Sequence, residues 1–305
     1  MVRILVCDKI HEDGLQILRQ ADFKVDVKID LSKNQLLSLI NEYDALIVRS
    51  RTLITSEIVE KMNRTKIIAR AGVGLDNIDV VAAEKKKIEV INAVEAVTES
   101  VAEHTLALLL SASRQITVAD SALKQGHWTK SRLTGIQLEG KTLGLVGAGR
   151  IGGRVAALAK ALGMQLIAFD IIQNQSLTKD LGLQWLSLED VLRKSDVISV
   201  HASLTPETQG MIGEREFSMM KDGCIILNVA RGGLINEEAL LRALKSGKIS
   251  AAGLDVYQEE PPKNLELVKL QNVVCTPHIA AQTEEAQRST SIHVAEVIVK
   301  NLKRI

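Results

Sequence analysis

Residues 141–170 limit the possible folds of this chain more than any other stretch. Thr142 to Val146 is a short apolar run of strand type, and Gly147, Gly149 and Gly152 follow at G-x-G-x-x-G spacing. Arg154 to Leu162 is rich in Ala and Leu and predicts a helix, which Gly163 stops. Gln165 to Phe169 predicts a second strand, with Asp170 at its end. A strand, a glycine turn, a helix and a second strand closed by an acid form the unit that cradles a dinucleotide. Each part has a physical task. Gly147 permits the tight turn, Gly149 lets the backbone approach a pyrophosphate, and Gly152 lets the helix lie close to the strand. The helix N-terminus offers unpaired N–H groups and partial positive charge to the phosphates. Asp170 is placed to accept hydrogen bonds from the adenosine ribose, where it would repel a 2′-phosphate. The residues after it, Ile171 to Gln175, include no Arg or Lys to hold one. The expected cofactor is therefore NAD.

The rest of the chain repeats the alternation of strand and helix. Before the fingerprint, strands are predicted at Arg3–Cys7, Lys24–Ile29, Ala45–Val48, Ile67–Ala69 and Glu89–Ile91. After it they fall at Val197–Val200, Cys224–Asn228, Ala251–Leu254 and Val273–Cys275. Such alternation makes parallel sheets with helices on both faces, whose ligands gather at the carboxyl ends of the strands. The expected fold is α/β: a Rossmann-type doubly wound parallel sheet with a second, smaller flavodoxin-like α/β domain. The final helix, from about Thr283 to Leu302, is expected to return to the smaller domain. That makes residues 1–96 and 284–305 one discontinuous domain and 97–283 the NAD-binding one. Glu99 to Gln115 predicts an apolar helix, buried between domains or subunits. The polar arm from Ile116 to Gly140 carries Trp128, which either anchors on a neighbour or covers the chain's own core. Ser56 is the expected cap of the helix that follows it.

Composition excludes several classes. The formal charge of +1 gives no reason to expect a nucleic-acid or membrane surface. No apolar run approaches the ~20 residues of a membrane span, and the N-terminus has no long apolar segment of signal-peptide type. Cys7, Cys224 and Cys275 stand singly in apolar runs, as buried free thiols of a cytoplasmic protein would. No residues have metal-ligand spacing, and none is expected to bind a metal.

Three strand ends after the fingerprint carry polar groups: Arg231, the segment Asp255–Glu260, and His278. Hydride transfer between NAD and a 2-hydroxy acid needs a proton acceptor, a cation for the carboxylate, and a group that tunes the acceptor. Histidine changes charge near neutrality and suits the first task. The planar fork of Arg231 suits the second, and the carboxylate of Glu260 suits the third. Singly, each has a plainer reading: a loop histidine, a solvated acid, a charge at a helix approach. Together, behind a fingerprint, they predict a catalytic group. His201 also stands at a strand end near the cofactor, in no acid/base arrangement. His11, His104, His127 and His293 read as structural or solvated. In the N-terminal sheet, Arg49-Ser50-Arg51 and Arg70, the latter running into Gly72-Val73-Gly74, predict an anion-binding cleft.

These motifs resemble the D-isomer-specific 2-hydroxyacid dehydrogenases over nearly the whole chain. The likeness rests on Val48–Ser50, Gly72–Asp79, Gly144–Gly152, Asn228–Ile235, Leu254–Tyr257, Glu259–Pro262 and Thr276–Ala281. Within the family it is greatest to the branch that oxidises 3-phospho-D-glycerate to 3-phosphohydroxypyruvate, the entry to serine synthesis. The resemblance implies that Arg231 binds the substrate carboxylate and carbonyl, that His278 is the acid/base, and that Glu260 is its partner. It implies cofactor contacts from Arg150, Ile151, Asp170, Ala202, Val229, Asp255 and Ala281, and we expect Ala230, Arg231, His201 and His278 to line the same site. Substrate contacts are implied for Arg49, Ser50, Arg70, Val73 and Gly74, with Arg231 and His278. Lys130 or Arg132 of a partner subunit are candidates for a phosphate, and a homodimer through the NAD-binding domains is implied. Residues 92–98 depart from the Asn-rich loop of many relatives. The chain stops before the C-terminal regulatory domain that many members carry, so serine feedback through that domain is not expected. A glyoxylate or hydroxypyruvate reductase, or another D-2-hydroxyacid dehydrogenase such as a D-lactate-type enzyme, is the alternative. A non-catalytic NAD sensor is a third reading, against which the intact Arg231, Glu260 and His278 speak.

Overall fold

The computed structural model describes residues 1–303. The chain forms two compact units, Met1–Val97 with Ala281–Ile305, and Thr98–Ala280. The crossings therefore fall at 97/98 and 280/281, rather than at 96/97 and 283/284. The second shift has a local cause. The Asp255 carboxylate accepts from the N–H groups of Ile279 and Ala280, and this ties the chain as far as Ala280 to the second unit. Ala281 falls in the first unit.

The first unit is a five-stranded parallel sheet of β1 (Arg3–Val6), β2 (Lys24–Val27), β3 (Ala45–Val48), β4 (Ile67–Arg70) and β5 (Glu89–Asn92). Their order is β2-β1-β3-β4-β5, the flavodoxin-like arrangement expected from the sequence. The central strand β3 is buried along its whole length, as a parallel strand covered on both faces must be. On one face Ile4, Val6, Ala45 and Ile47 pack with Leu15, Leu18, Val294, Ala295 and Ile298. On the other, Leu5, Cys7, Leu46 and Val48 pack with Leu36, Ile40, Ile58 and Met62. The helix Glu284–Leu302 thus supplies core to this unit. Ser32 caps the helix Lys33–Leu39 in a full capping box with Gln35. The helix Ser56–Lys61 begins one residue earlier than expected, with Thr55 at the N-cap position and no side-chain cap bond.

The second unit is a seven-stranded parallel sheet of β6 (Thr142–Val146), β7 (Gln165–Phe169), β8 (Gln184–Trp185), β9 (Val197–Val200), β10 (Cys224–Asn228), β11 (Ile249–Leu254) and β12 (Val273–Cys275). The order β12-β11-β10-β9-β6-β7-β8 is a doubly wound sheet with its switch point between β6 and β9, as the fingerprint predicts. β8 and the helix Gln175–Leu181 before it are short and polar, and the sequence pattern gave no sign of them.

One expectation about the middle of the chain is corrected. The apolar helix starts at Val94, not Glu99, and runs to Arg114. Its first turns are Val- and Thr-rich and of modest helix propensity, but buried Ala93 and Val97 anchor them. Within the single chain one side of the helix is exposed. Glu99, Glu103, Ala107, Leu110 and Arg114 form an exposed stripe at helical spacing. Part of the polar arm is itself helical, from Ile116 to Lys124, and Trp128 is 81% exposed. Among the described residues, no helix is long and apolar enough to cross a membrane.

Candidate active site

The glycine turn after β6 abuts the end of β9 at the switch point. Gly147 has φ +93, a left-handed conformation that side chains rarely adopt. A Cβ there would lie 2.8 Å from Ala202 N, and one on Gly152 would lie 2.3 Å from Gly147 O. Gly149 faces open space and caps the helix, which begins at Arg150 rather than Arg154. The turn is therefore closed on the protein side and open where a pyrophosphate would approach. The first N–H groups of a twelve-residue helix point there. One oxygen of Asp170 accepts from Ala148 N at 2.7 Å and the other from Ile172 N at 3.0 Å. The carboxylate is thus fixed beside the turn before any ribose arrives. Ile171 and Ile172 next to it are 89% and 78% exposed and offer an apolar surface that the sequence did not single out. These features fit a bound NAD.

His201 ends β9 and meets Ser199, with Nε2 2.8 Å from Oγ. Burial pushes its imidazole down to about 4, so it is neutral at physiological pH. It is thereby engaged with Ser199 at the switch point.

The ends of β10, β11 and β12 are neighbours in the sheet and are joined by backbone bonds. Asp255 N donates to Asn228 O at 3.0 Å, and His278 N donates to Asp255 O at 2.8 Å. Asn228 Nδ2 donates to Arg231 O at 2.8 Å and so holds the turn Val229-Ala230-Arg231. The Arg231 guanidinium donates to Ala230 O at 2.6 Å and is half-buried.

His278 is exposed and adopts φ +54, rare for a residue with a side chain. Its Nδ1 lies 2.7 Å from Glu260 Oε2, and the other Glu260 oxygen accepts from Tyr257 N at 3.3 Å. A carboxylate only accepts, so Nδ1 carries the hydrogen and Nε2 is left to exchange a proton. An exposed pair of this kind adds little to stability; its effect is to fix the ring.

Asp255 is fully buried. Burial opposes its ionisation most strongly. Hydrogen bonds from His104, Thr276, Ile279 and Ala280 outweigh this and hold its carboxyl below the usual range. From sequence alone His104 reads as structural or solvated. Its signal, a lone histidine in an apolar helix, gave no hint of this contact.

In the first unit, the carboxyl edge of the sheet gathers Arg49 and Ser50 after β3, Arg70 ending β4, and Val73 and Gly74 beyond it. The loop after β3 is held by both kinds of backbone group. Buried Asp8 accepts from Arg49 N at 2.5 Å, while Asn77 donates to Arg49 O at 2.7 Å and Thr52 O at 2.6 Å. Asn92 at the end of β5 donates to Val73 O at 2.7 Å. Among the described residues, no group of three or more His, Cys, Asp or Glu is placed to hold a metal ion.

The family model for the NAD binding domain of D-isomer specific 2-hydroxyacid dehydrogenases matches residues 106–280. The hydroxypyruvate reductase of Thermotoga maritima is 45% identical over 98% of each chain. The chain belongs to the D-isomer-specific 2-hydroxyacid dehydrogenases. A D-3-phosphoglycerate dehydrogenase of Methanocaldococcus jannaschii is 47% identical over 99% of this chain, which spans 58% of that relative's length. Among solved members of the family, the D-lactate dehydrogenase of Aquifex aeolicus, complexed with NAD and lactic acid, aligns with a TM-score of 0.88. It is 30% identical over 99% of this chain and 96% of its own. As in the family, the cofactor of this dehydrogenase domain is NAD. Replacing Asp170 with Ala is expected to relax the preference towards NADP, read as the ratio of kcat/KM for the two cofactors. An unchanged ratio would remove the ribose role from Asp170.

Proposed function

We propose that this chain oxidises 3-phospho-D-glycerate to 3-phosphohydroxypyruvate with NAD. The observation that carries the dehydrogenase reading is the His278–Glu260 pair, on the same sheet edge as the glycine turn and the strand end before Arg231. Bound NAD supplies the acceptor for the hydride that leaves C2. His278 Nε2 takes the proton of the C2 hydroxyl, so the C–O bond becomes a carbonyl as the C–H electron pair departs. Glu260 stabilises the imidazolium that forms and keeps its ring oriented. The Arg231 fork binds the substrate carboxylate. In the reverse direction, the same imidazolium returns its proton to the keto oxygen.

The phosphate assignment is supported by Arg49 and Arg70 at adjacent strand ends of the first sheet, and by the relatives named for this substrate. A second reading, hydroxypyruvate reduction, is favoured by the full-length match to the Thermotoga protein. We also propose a homodimer through the second unit. There Leu110, Ile116, Leu123 and Trp128 are 39%, 50%, 60% and 81% exposed, large apolar side chains that a subunit contact would cover. The free thiols suit a reducing cytoplasm, where we place the reaction.

The test is a panel of 2-hydroxy and 2-keto acids, with and without phosphate, assayed with NAD(H). The highest kcat/KM is expected on the phosphorylated pair. A much higher value on glyoxylate or hydroxypyruvate would transfer the function to the second reading. Tight NADH binding without turnover of any keto acid would point to a sensor.

A further inference from the structure

The helix Val94–Arg114 brings one polar group to the Asp255 network. His104 Nε2 lies 3.0 Å from Thr276 Oγ1 and 3.5 Å from Asp255 Oδ1. The acceptors fix the direction of each bond. The Thr276 hydroxyl is 2.6 Å from Asp255 Oδ1 and donates to it, because a carboxylate has nothing to donate. The Thr276 oxygen is then an acceptor towards His104, so His104 Nε2 carries its hydrogen. The order is imidazole N–H, hydroxyl, carboxylate.

The far end of that series holds the turn that carries His278. Asp255 Oδ1 and Oδ2 accept from Ile279 N and Ala280 N, each at 2.8 Å, and the Asp255 carbonyl accepts from His278 N. The backbone is gripped on both sides of a residue in the left-handed region. Such a conformation persists only where its surroundings over-determine it.

We propose that His104 is a positioning residue for His278. It acts through Thr276 and Asp255 to fix residues 276–280, and the assignment rests on the acid/base reading of His278 given above. Without the His104 donor, the Thr276 hydroxyl is free to turn to the Leu254 carbonyl, 3.5 Å away. Asp255 then loses two of the donors that offset its burial. Glu260 still holds the ring at Nδ1, but the backbone beneath it is no longer fixed.

Two variants separate this role from simple packing. His104→Phe keeps the bulk and removes the donor, whereas His104→Gln keeps an N–H at nearly the same reach. The first readout is amide hydrogen exchange at Ile279 and Ala280 in ligand-free protein. Exchange is expected to be about ten-fold faster in His104→Phe and close to the unaltered chain in His104→Gln. The second is steady-state kinetics. In His104→Phe, kcat is expected to fall by about ten- to a hundred-fold with both KM values within about two-fold, as misplacement of a reacting group predicts. His104→Gln should recover most of that loss.

Unchanged exchange and kcat in His104→Phe would overturn the proposal, as would a glutamine variant as impaired as the phenylalanine one. Faster exchange in His104→Phe, in a chain whose unaltered form turns over no 2-keto acid, would support the positioning and reject only the acid/base reading. The two can therefore fail separately.

Discussion

Replacement of His278 by Ala is expected to lower kcat for keto-acid reduction by about two to four orders of magnitude while NADH affinity stays nearly intact. The size follows from the task. Nε2 is the ring nitrogen left free by the bond between Nδ1 and Glu260, and the other two imidazoles near the end of this sheet, among the described residues, are engaged elsewhere. His201 is desolvated and engaged with Ser199, and His104 faces Thr276. Affinity for the cofactor should survive because the glycine turn and Asp170 lie at the ends of other strands. Residue 278 has φ +54, which Asn tolerates better than Ala. His278→Asn therefore controls for a collapsed turn and should lose as much activity. Steady-state rates with NADH fluorescence titrations check both points. Full activity in either variant would remove His278 from the chemistry.

The second large effect is expected from one methyl group. A Cβ on Gly232 would lie 1.9 Å from the carbonyl carbon of Tyr257, 2.0 Å from its oxygen and 2.4 Å from Gln258 N. These are backbone atoms that cannot swing aside, so one of the two segments must move by more than about 1 Å. The first carries Arg231. The second carries Glu260, which is bonded to Tyr257 N. Overpacking of this kind costs about 3 kcal/mol, or a fall in Tm of roughly 6–12 °C for a unit of this size. Displacing groups that must converge on one substrate costs about a hundred-fold in kcat. Gly233→Ala is the comparison. Its Cβ would meet only the Leu204 side chain, at 3.3 Å, and both losses should be small. Thermal unfolding and turnover of the two variants check this. Equal behaviour would show that the contact at Gly232 yields without cost.

Much of the fold was legible because its signals are local. The fingerprint glycines and the apolar strand runs each act within a few residues. What local propensity misjudged was decided by packing. Val94–Thr98 is helical although Val94, Val97 and Thr98 have modest helix propensity, and buried Ala93 and Val97 hold it in place. β8 forms because β7 offers a free edge, not because Gln184-Trp185 reads as a strand.

The sequence by itself determined the two parallel sheets, the NAD turn and the residue types of the acid/base group. Strand periodicity, glycine spacing and side-chain chemistry are written in neighbouring residues. Only the tertiary structure decided that Nδ1 of His278 meets Glu260 across 18 residues, and that His104 reaches Thr276 across 172. Those contacts arise because β10, β11 and β12 lie side by side and the helix Val94–Arg114 brings His104 to their ends, and no spacing along the chain encodes that adjacency.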